Sequence, residues 1–436
     1  MMNDFDHDDC GCREYNELSR RRFVAGAGAA IAGTVFTPIF PAWLPEVVLA
    51  ESAQSSRDII VSIFLRGGSD GLSMCVPFLD NDYYAGRPTI AIPRPDTTAA
   101  NRGIALDNFF AFPQAMSTLV PAFQAGHLLV VHATGSIDPS RSHFDAQRFI
   151  EVGKPRDTNI VTGWLGRHLA STTPVRTGSP LRALGIESGL SKTLVGAPQT
   201  IPIPDPPNFA IIGSATTRLA RAAWLREDYT TTIDPVRSAA LDALNTIELL
   251  RVIDFAGYRP ANGAVYPNTN FGRGMQSTAA LIKADLGVEA IQLNLSGWDT
   301  HASQDPLAGS MFNTMSNLAG SIAAFHADVI AGGTSHSVTV VVLSEFGRNV
   351  RQNGSLGTDH GRGNCMFVMG RNITGGRVLV NNWPGLAREN LEAGQDLRVT
   401  LDHRDILAEV VRNRLANPNV GVVFPDYVPT YRGVTK

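Results

Sequence analysis

Carboxylates, imidazoles and hydroxyls recur in this chain just past its apolar runs. "SEFGR" at 344–348 places Glu345 one residue past VTVVVL, and "GTDHG" at 357–361 adds Asp359 and His360. "GWDTH" at 297–301 brings Asp299 and His301 in behind IQLNLS, and "RGGSDGL" at 66–72 brings Asp70 in behind IFL. "SIDPSRSHFDAQ" at 136–147 follows VVHATG with Arg141, Ser142 and His143. Oxygen and imidazole donors with no thiolate among them suit a hard or borderline ion and not a soft one. The expectation is one or two divalent ions (zinc, manganese, iron, magnesium or calcium) held by Asp70, Asp299, His301, Glu345, Asp359 and His360. Two clustered ions can activate a hydroxyl and hold the entering and leaving oxygens of a phosphoryl-type transfer. A serine at a helix start suits the nucleophile, because the amide dipoles there favour an anionic ester oxygen. Ser140 and Ser142 both lie near such a start, beside His143. Arg141 is a forked clamp for the anion, and Arg66 a second candidate for that role.

Each of these residues also has a bland reading. An aspartate between glycines, such as Asp70, is a common turn former through its side-chain oxygen. His143 fits a helix entry capped by Ser140 or Ser142, and Glu345 beside Arg348 fits a local ion pair. The metal reading gains from convergence, since four separate apolar runs deliver donors at equivalent places.

Convergence requires elements that end on one rim. Short apolar runs recur at 58–65, 127–133, 289–295, 337–342 with its flanks and 365–370. Each is nearly continuous rather than alternating, as expected of strands covered on both faces. Helical patterns lie between them at 116–126, 237–256 and 311–331. In the last, Met311, Met315, Leu318, Ile322 and Phe325 recur at three- and four-residue spacing. Strand alternating with helix predicts an α/β fold with a mostly parallel central sheet flanked by helices. In such sheets ligands bind where the carboxyl ends of the strands open into loops. The stretch 195–235, rich in Pro, Thr and Ala, reads as a loop-rich insertion or cap.

The bulk composition fits this picture. The chain has 436 residues, 44% hydrophobic and 18% charged, with 41 Gly and 26 Pro. That is a loop-rich globular protein rather than a disordered one. A formal net charge of −3 gives no global case for nucleic acid or an anionic membrane surface. The first fifty residues differ. Arg20, Arg21, Arg22 and Phe23 lead into a small-residue apolar stretch ending Val48-Leu49-Ala50, which is charged, apolar, then small: the logic of an export signal. Pro38, Pro41 and Pro45 interrupt the stretch before it reaches the ~20 apolar residues of a spanning helix. The expectation is a signal peptide over 1–50, a mature domain over 51–436 and no membrane span in it. Cys10 and Cys12 leave with the signal; Cys75 and Cys365 remain, whether paired or not.

The twin arginines before x-Phe resemble a twin-arginine signal. Behind it, "LRGGSDGL", "PSRSHFDAQ", "GWDTH", "SEFGR" and "GTDHG" resemble an uncharacterised family of exported bacterial proteins. That family is placed in the alkaline phosphatase–sulfatase-like superfamily, and the resemblance spans roughly Asp58 to Tyr427. It implies passage through the twin-arginine export machinery already folded, a periplasmic or extracellular location and an alkaline-phosphatase-like fold. It further implies an exported metal-dependent hydrolase acting on an anionic phosphate or sulfate ester. Asp70, Asp299, His301, Glu345 and His360 would be the ligands and Ser142 the nucleophile. The chain departs from the superfamily pattern in Glu345-Phe346, where an Asp-His pair is usual, and in lacking the C/S-x-P-x-R sequence of sulfatases. The alternative is a catalytically degenerate binding or assembly protein on the same fold.

Overall fold

The run IIVSIFL carries one polar residue in seven, too few for a strand with a wet face. In the computed structural model, which describes residues 57–334 and 336–436, it forms β1 (Ile59–Leu65), buried along its whole length. The expected signal over 1–50, with Cys10 and Cys12, lies outside the described residues. β2 (Val76–Pro77), β3 (Ile104–Ala105) and β4 (Phe110–Phe112) form a small antiparallel sheet. The remaining strands are β5 (Leu128–Gly135), β6 (Ala183–Ile186), β7 (Thr200–Pro202), β8 (Ala290–Leu295), β9 (Val338–Ser344), β10 (Asn364–Met369), β11 (Arg377–Leu379) and β12 (Leu401–Asp402). They join β1 in a nine-stranded sheet of order β11-β5-β10-β9-β1-β8-β6-β7, with β12 also on β5.

The sheet is mixed and mostly parallel. β9, β1, β8, β6 and β7 pair in parallel, while β10 runs antiparallel to both β9 and β5. The carboxyl ends of β1, β5, β8 and β9 therefore share a rim with the amino end of β10. "GTDHG" reaches that rim as the last part of the 345–363 connection from β9, just before β10.

Alternate side chains of each central strand enter different cores. Val61, Ile63 and Leu65 pack with Met275, Ile282, Met315 and Ile322 from the helices Asn270–Lys283 and Ser310–Phe325. Ile60 and Phe64 pack with Trp164, Leu165, Ile406 and Val410 on the other face. The sheet is thus covered on both sides, which is why its strands read as unbroken apolar runs. The stretch expected to cap the sheet starts by extending it: Thr200–Pro202 is the edge strand beside β6. Beyond it the helix Arg218–Thr230 packs on the helix Val236–Leu250. Cys75 and Cys365 are both buried free thiols. No helix among the described residues is long and apolar enough to cross a membrane.

Candidate metal centre

Three histidines meet one aspartate on the shared rim. His143 opens the helix His143–Val152, which Ser142 caps by accepting from the Asp145 amide and Gly153 ends in the left-handed conformation at φ 66°. Asp299 and His301 leave the end of β8, and His360 precedes β10. The donor atoms of His143, Asp299 and His360 all lie within 4.8 Å of one another. His301 Nε2 is 3.0 Å from Asp299 Oδ1 and 2.9 Å from His360 Nε2. His360 Nε2 is 3.1 Å from the same oxygen, and His143 Nε2 is 3.4 Å from Asp299 Oδ2. Donors arranged tetrahedrally at zinc-type bond lengths lie ~3.3 Å apart; His143, Asp299 and His360 form the group close enough to share an ion, with His301 beside it against Asp299 and His360.

What stands behind each ring decides its tautomer. His143 Nδ1 donates to Glu345 Oε1 at 2.8 Å, and His301 Nδ1 donates to Asp359 Oδ1 at 2.9 Å. His360 Nδ1 donates to the Arg141 carbonyl at 2.9 Å. An ionised carboxylate or a carbonyl only accepts, so in each neutral ring the proton sits on Nδ1 and Nε2 presents a lone pair. His143 Nε2 is buried and has no hydrogen-bond partner. Three bare imidazole nitrogens around a carboxylate repel one another unless a cation sits among them. Acceptors behind the rings are also how proteins orient metal-binding histidines.

Charge is arranged to keep Asp299 ionised. Burial opposes this, but Arg348 donates to Oδ1 at 2.6 Å and outweighs it with help from His360 and His143, holding the pKa at about 2. Arg348 is itself fully buried and donates to the carbonyls of Gly68, Trp298 and Thr358 at 2.6–2.9 Å. One guanidinium therefore fixes three of the loops that build the centre. Glu345 is held below the usual carboxylate range: burial raises it, but hydrogen bonds from His143 and Gln147 overcome that. The hydrogen bond to Glu345 in turn raises His143, partly offset by burial. His360 is lowered, by burial first and then by the charges of His143 and Arg348, although its bond to Asp299 raises it.

Close backbone approaches make two glycines obligatory. Gly67 adopts φ 116°, and a Cβ there would lie 2.6 Å from the Asp299 amide nitrogen. A Cβ on Gly357 would lie 2.2 Å from the His301 carbonyl carbon. The glycine-rich character of "RGGSDG" and "GTDHG" serves loop-to-loop contact.

The expected ligands separate into three groups. Asp299, His301 and His360 share the centre. Glu345 and Asp359 stand behind His143 and His301. Asp70 is elsewhere: its side chain is 1% exposed and bonds Arg87 through both oxygens, at 2.5 and 2.9 Å. It also accepts from Ser73 and Gln304, and Gln304 in turn accepts from Thr358 and Thr300, so Asp70 braces the ligand loops from behind. Among the catalytic candidates, His143 takes a ligand position, and Ser142 is exposed beside it. The Arg141 side chain pairs with buried Asp396, and Arg362 pairs with Glu392. Arg66 pairs with Glu151 at 2.9 Å and donates to Gln147, whose amide donates to Glu345 at 3.0 Å. Sequence reasoning missed Arg348 and Gln147 as organisers. Only the proximity of Arg348 to Glu345 pointed to the former.

If Glu345 and Asp359 orient rings rather than bind the ion, Glu345→Gln or Asp359→Asn weakens metal affinity by about 10–100-fold without abolishing it. Competition titration against a chromophoric chelator reads this directly; complete loss of metal in either variant would return that residue to the ligand set.

A family model described as "Protein of unknown function (DUF1501)" matches residues 253–415. The match includes Asp299, His301, Glu345, Asp359 and His360 and leaves out Asp70, Ser142 and His143. No curated protein matches the chain.

Proposed function

We propose that the chain is an exported, metal-dependent hydrolase of phosphate or sulfate esters. The observation that carries this reading is the convergence of three Nε2 lone pairs on Asp299, each ring locked by an acceptor at Nδ1. Three imidazoles and one carboxylate fit a zinc, iron or manganese ion better than the oxygen-only shells that magnesium and calcium prefer. When bound, such an ion supplies a Lewis acid and lowers the pKa of a coordinated hydroxyl or water. Arg348 keeps Asp299 anionic, and Glu345 and Asp359 keep two of the rings oriented. Ser142, exposed at the start of a ten-residue helix, is the protein nucleophile that this arrangement offers. Its hydroxyl accepts only a long 3.5 Å bond from the Asp145 amide, so it is not committed to another partner. The amide dipoles of that helix favour an anionic ester oxygen nearby. The likeness to the alkaline phosphatase–sulfatase-like superfamily and to twin-arginine signals supports the same reading and a periplasmic or extracellular location.

The test is turnover of aryl phosphate against aryl sulfate by the metal-loaded protein. One of the two is expected to be hydrolysed, and Ser142→Ala is expected to bring that rate to background with metal content unchanged. Retained turnover in Ser142→Ala would remove the serine from the mechanism, and no turnover of either ester by wild type would remove the hydrolase reading. One observation favours a second reading, a binding or assembly protein without turnover. Arg141 and Arg362, the cations best placed for an anionic ester, are both neutralised by carboxylates.

A further inference from the structure

The helix Arg218–Thr230 has no buried residue, yet thirteen residues are too few for a helix to be stable in water alone. It leans on the helix Val236–Leu250, to which Arg226 donates through Asn245 at 2.9 Å. Its outer face carries Leu219, Ala220, Ala223, Trp224, Glu227 and Asp228, all exposed and all on one helical stripe. Leu219 is 67% and Trp224 54% exposed, and Ile212, Ile233 and Val236 are exposed nearby in the chain. An exposed tryptophan flanked by alanines is the composition of a contact surface, since large aromatics anchor interfaces and small residues let backbones approach.

The charges identify the occupant. Arg218 and Arg221 lie in the first turn and a half, Glu227 and Asp228 in the last. None of the four forms an ion pair among the described residues, although Arg221 donates to the Thr217 hydroxyl and the Ser214 carbonyl of its own chain. Three arginines against two acids give no polybasic surface, and the two acids sit on the same face as Trp224. That layout disfavours an anionic lipid surface. It complements itself when one copy of the helix runs antiparallel to another. We propose that this helix is a two-fold interface between two copies of the chain. A two-fold axis near Trp224 brings the two indoles together at the centre and sets Arg221 of each copy, at the edge of the stripe, toward Glu227 and Asp228 of the other. The antiparallel arrangement also aligns the helix dipoles favourably.

Sedimentation equilibrium of the full chain tests this. Wild type is expected at twice the chain mass, and Trp224→Glu is expected to weaken association at least about tenfold. Arg221→Glu is expected to weaken it too, and Arg221→Glu combined with Glu227→Arg to restore it; unchanged thermal melts show that the fold is intact. A wild-type monomer at micromolar concentration overturns the proposal, whether or not that monomer binds anionic vesicles. A dimer indifferent to Trp224→Glu also overturns it, by placing the interface elsewhere.

Discussion

Asp299→Asn protein is expected to fold normally and to contain no metal. Asparagine keeps the volume and an oxygen for Arg348, so the brace across the Gly68, Trp298 and Thr358 carbonyls survives. What is lost is the negative charge facing the imidazole nitrogens, since among the described residues no other carboxylate lies among them. Removing a residue that merely orients a ligand costs about 10–100-fold in metal affinity; removing the anionic ligand costs more. His360→Ala removes a nitrogen from the same group and is expected to do likewise. Elemental analysis of the folded wild-type protein should give one bound transition-metal ion per chain, absent from both variants, with ester turnover lost in parallel. Metal-free wild-type protein, prepared without chelator and supplied with zinc, manganese and iron, would sink the centre altogether. Full metal content in both variants would place the ion elsewhere.

The second large effect concerns stability. Asp70→Ala is expected to destabilise the protein by about 3–5 kcal/mol, because it leaves the buried Arg87 guanidinium without its counter-charge. Arg87 is 0% exposed and also donates to the Val350 and Asn349 carbonyls, so it cannot swing out to solvent. Denaturant unfolding measures the loss. The same pair predicts a pH dependence. Burial raises the Asp70 pKa, but Arg87, Ser73 and Gln304 together carry it below its ordinary value. A carboxylate with a depressed folded pKa contributes its stability above the unfolded value of about 3.9, and that contribution fades as pH falls through the folded one. The Asp70→Ala variant should therefore lie well below wild type at neutral pH and converge on it in acid. Metal content separates this role from ligation. A variant that is as stable as wild type but devoid of metal would restore Asp70 to the centre.

Much of the scaffold was legible in the residues. The runs at 58–65, 289–295 and 337–342 became β1, β8 and β9 to within a residue or two, because strands buried on both faces must be apolar throughout. The amphipathic pattern from Met311 to Phe325 became the helix Ser310–Phe325, because a helix lying on the sheet buries one face and so needs apolar residues at three- and four-residue spacing. The short strands β6, β7, β11 and β12 carried no such signal, since two to four residues at or near the sheet edge need little apolar character.

The chain order of donors, and their gathering at one rim, followed from strand ends and could be read directly. Which donor faces the ion could not. Glu345 and His143 are interchangeable as ligand types, and only the 2.8 Å bond between them shows that one orients the other. Asp70 had every local mark of a ligand, yet Arg87, seventeen residues on, folds back and claims both its oxygens. His360 reaches the centre because β10 runs antiparallel, a direction that sheet pairing sets and local composition does not. Apolar periodicity reports whether a residue is buried, which is a property of its own stretch of chain. Ligation depends on which groups point at each other across stretches that only the folded sheet brings together.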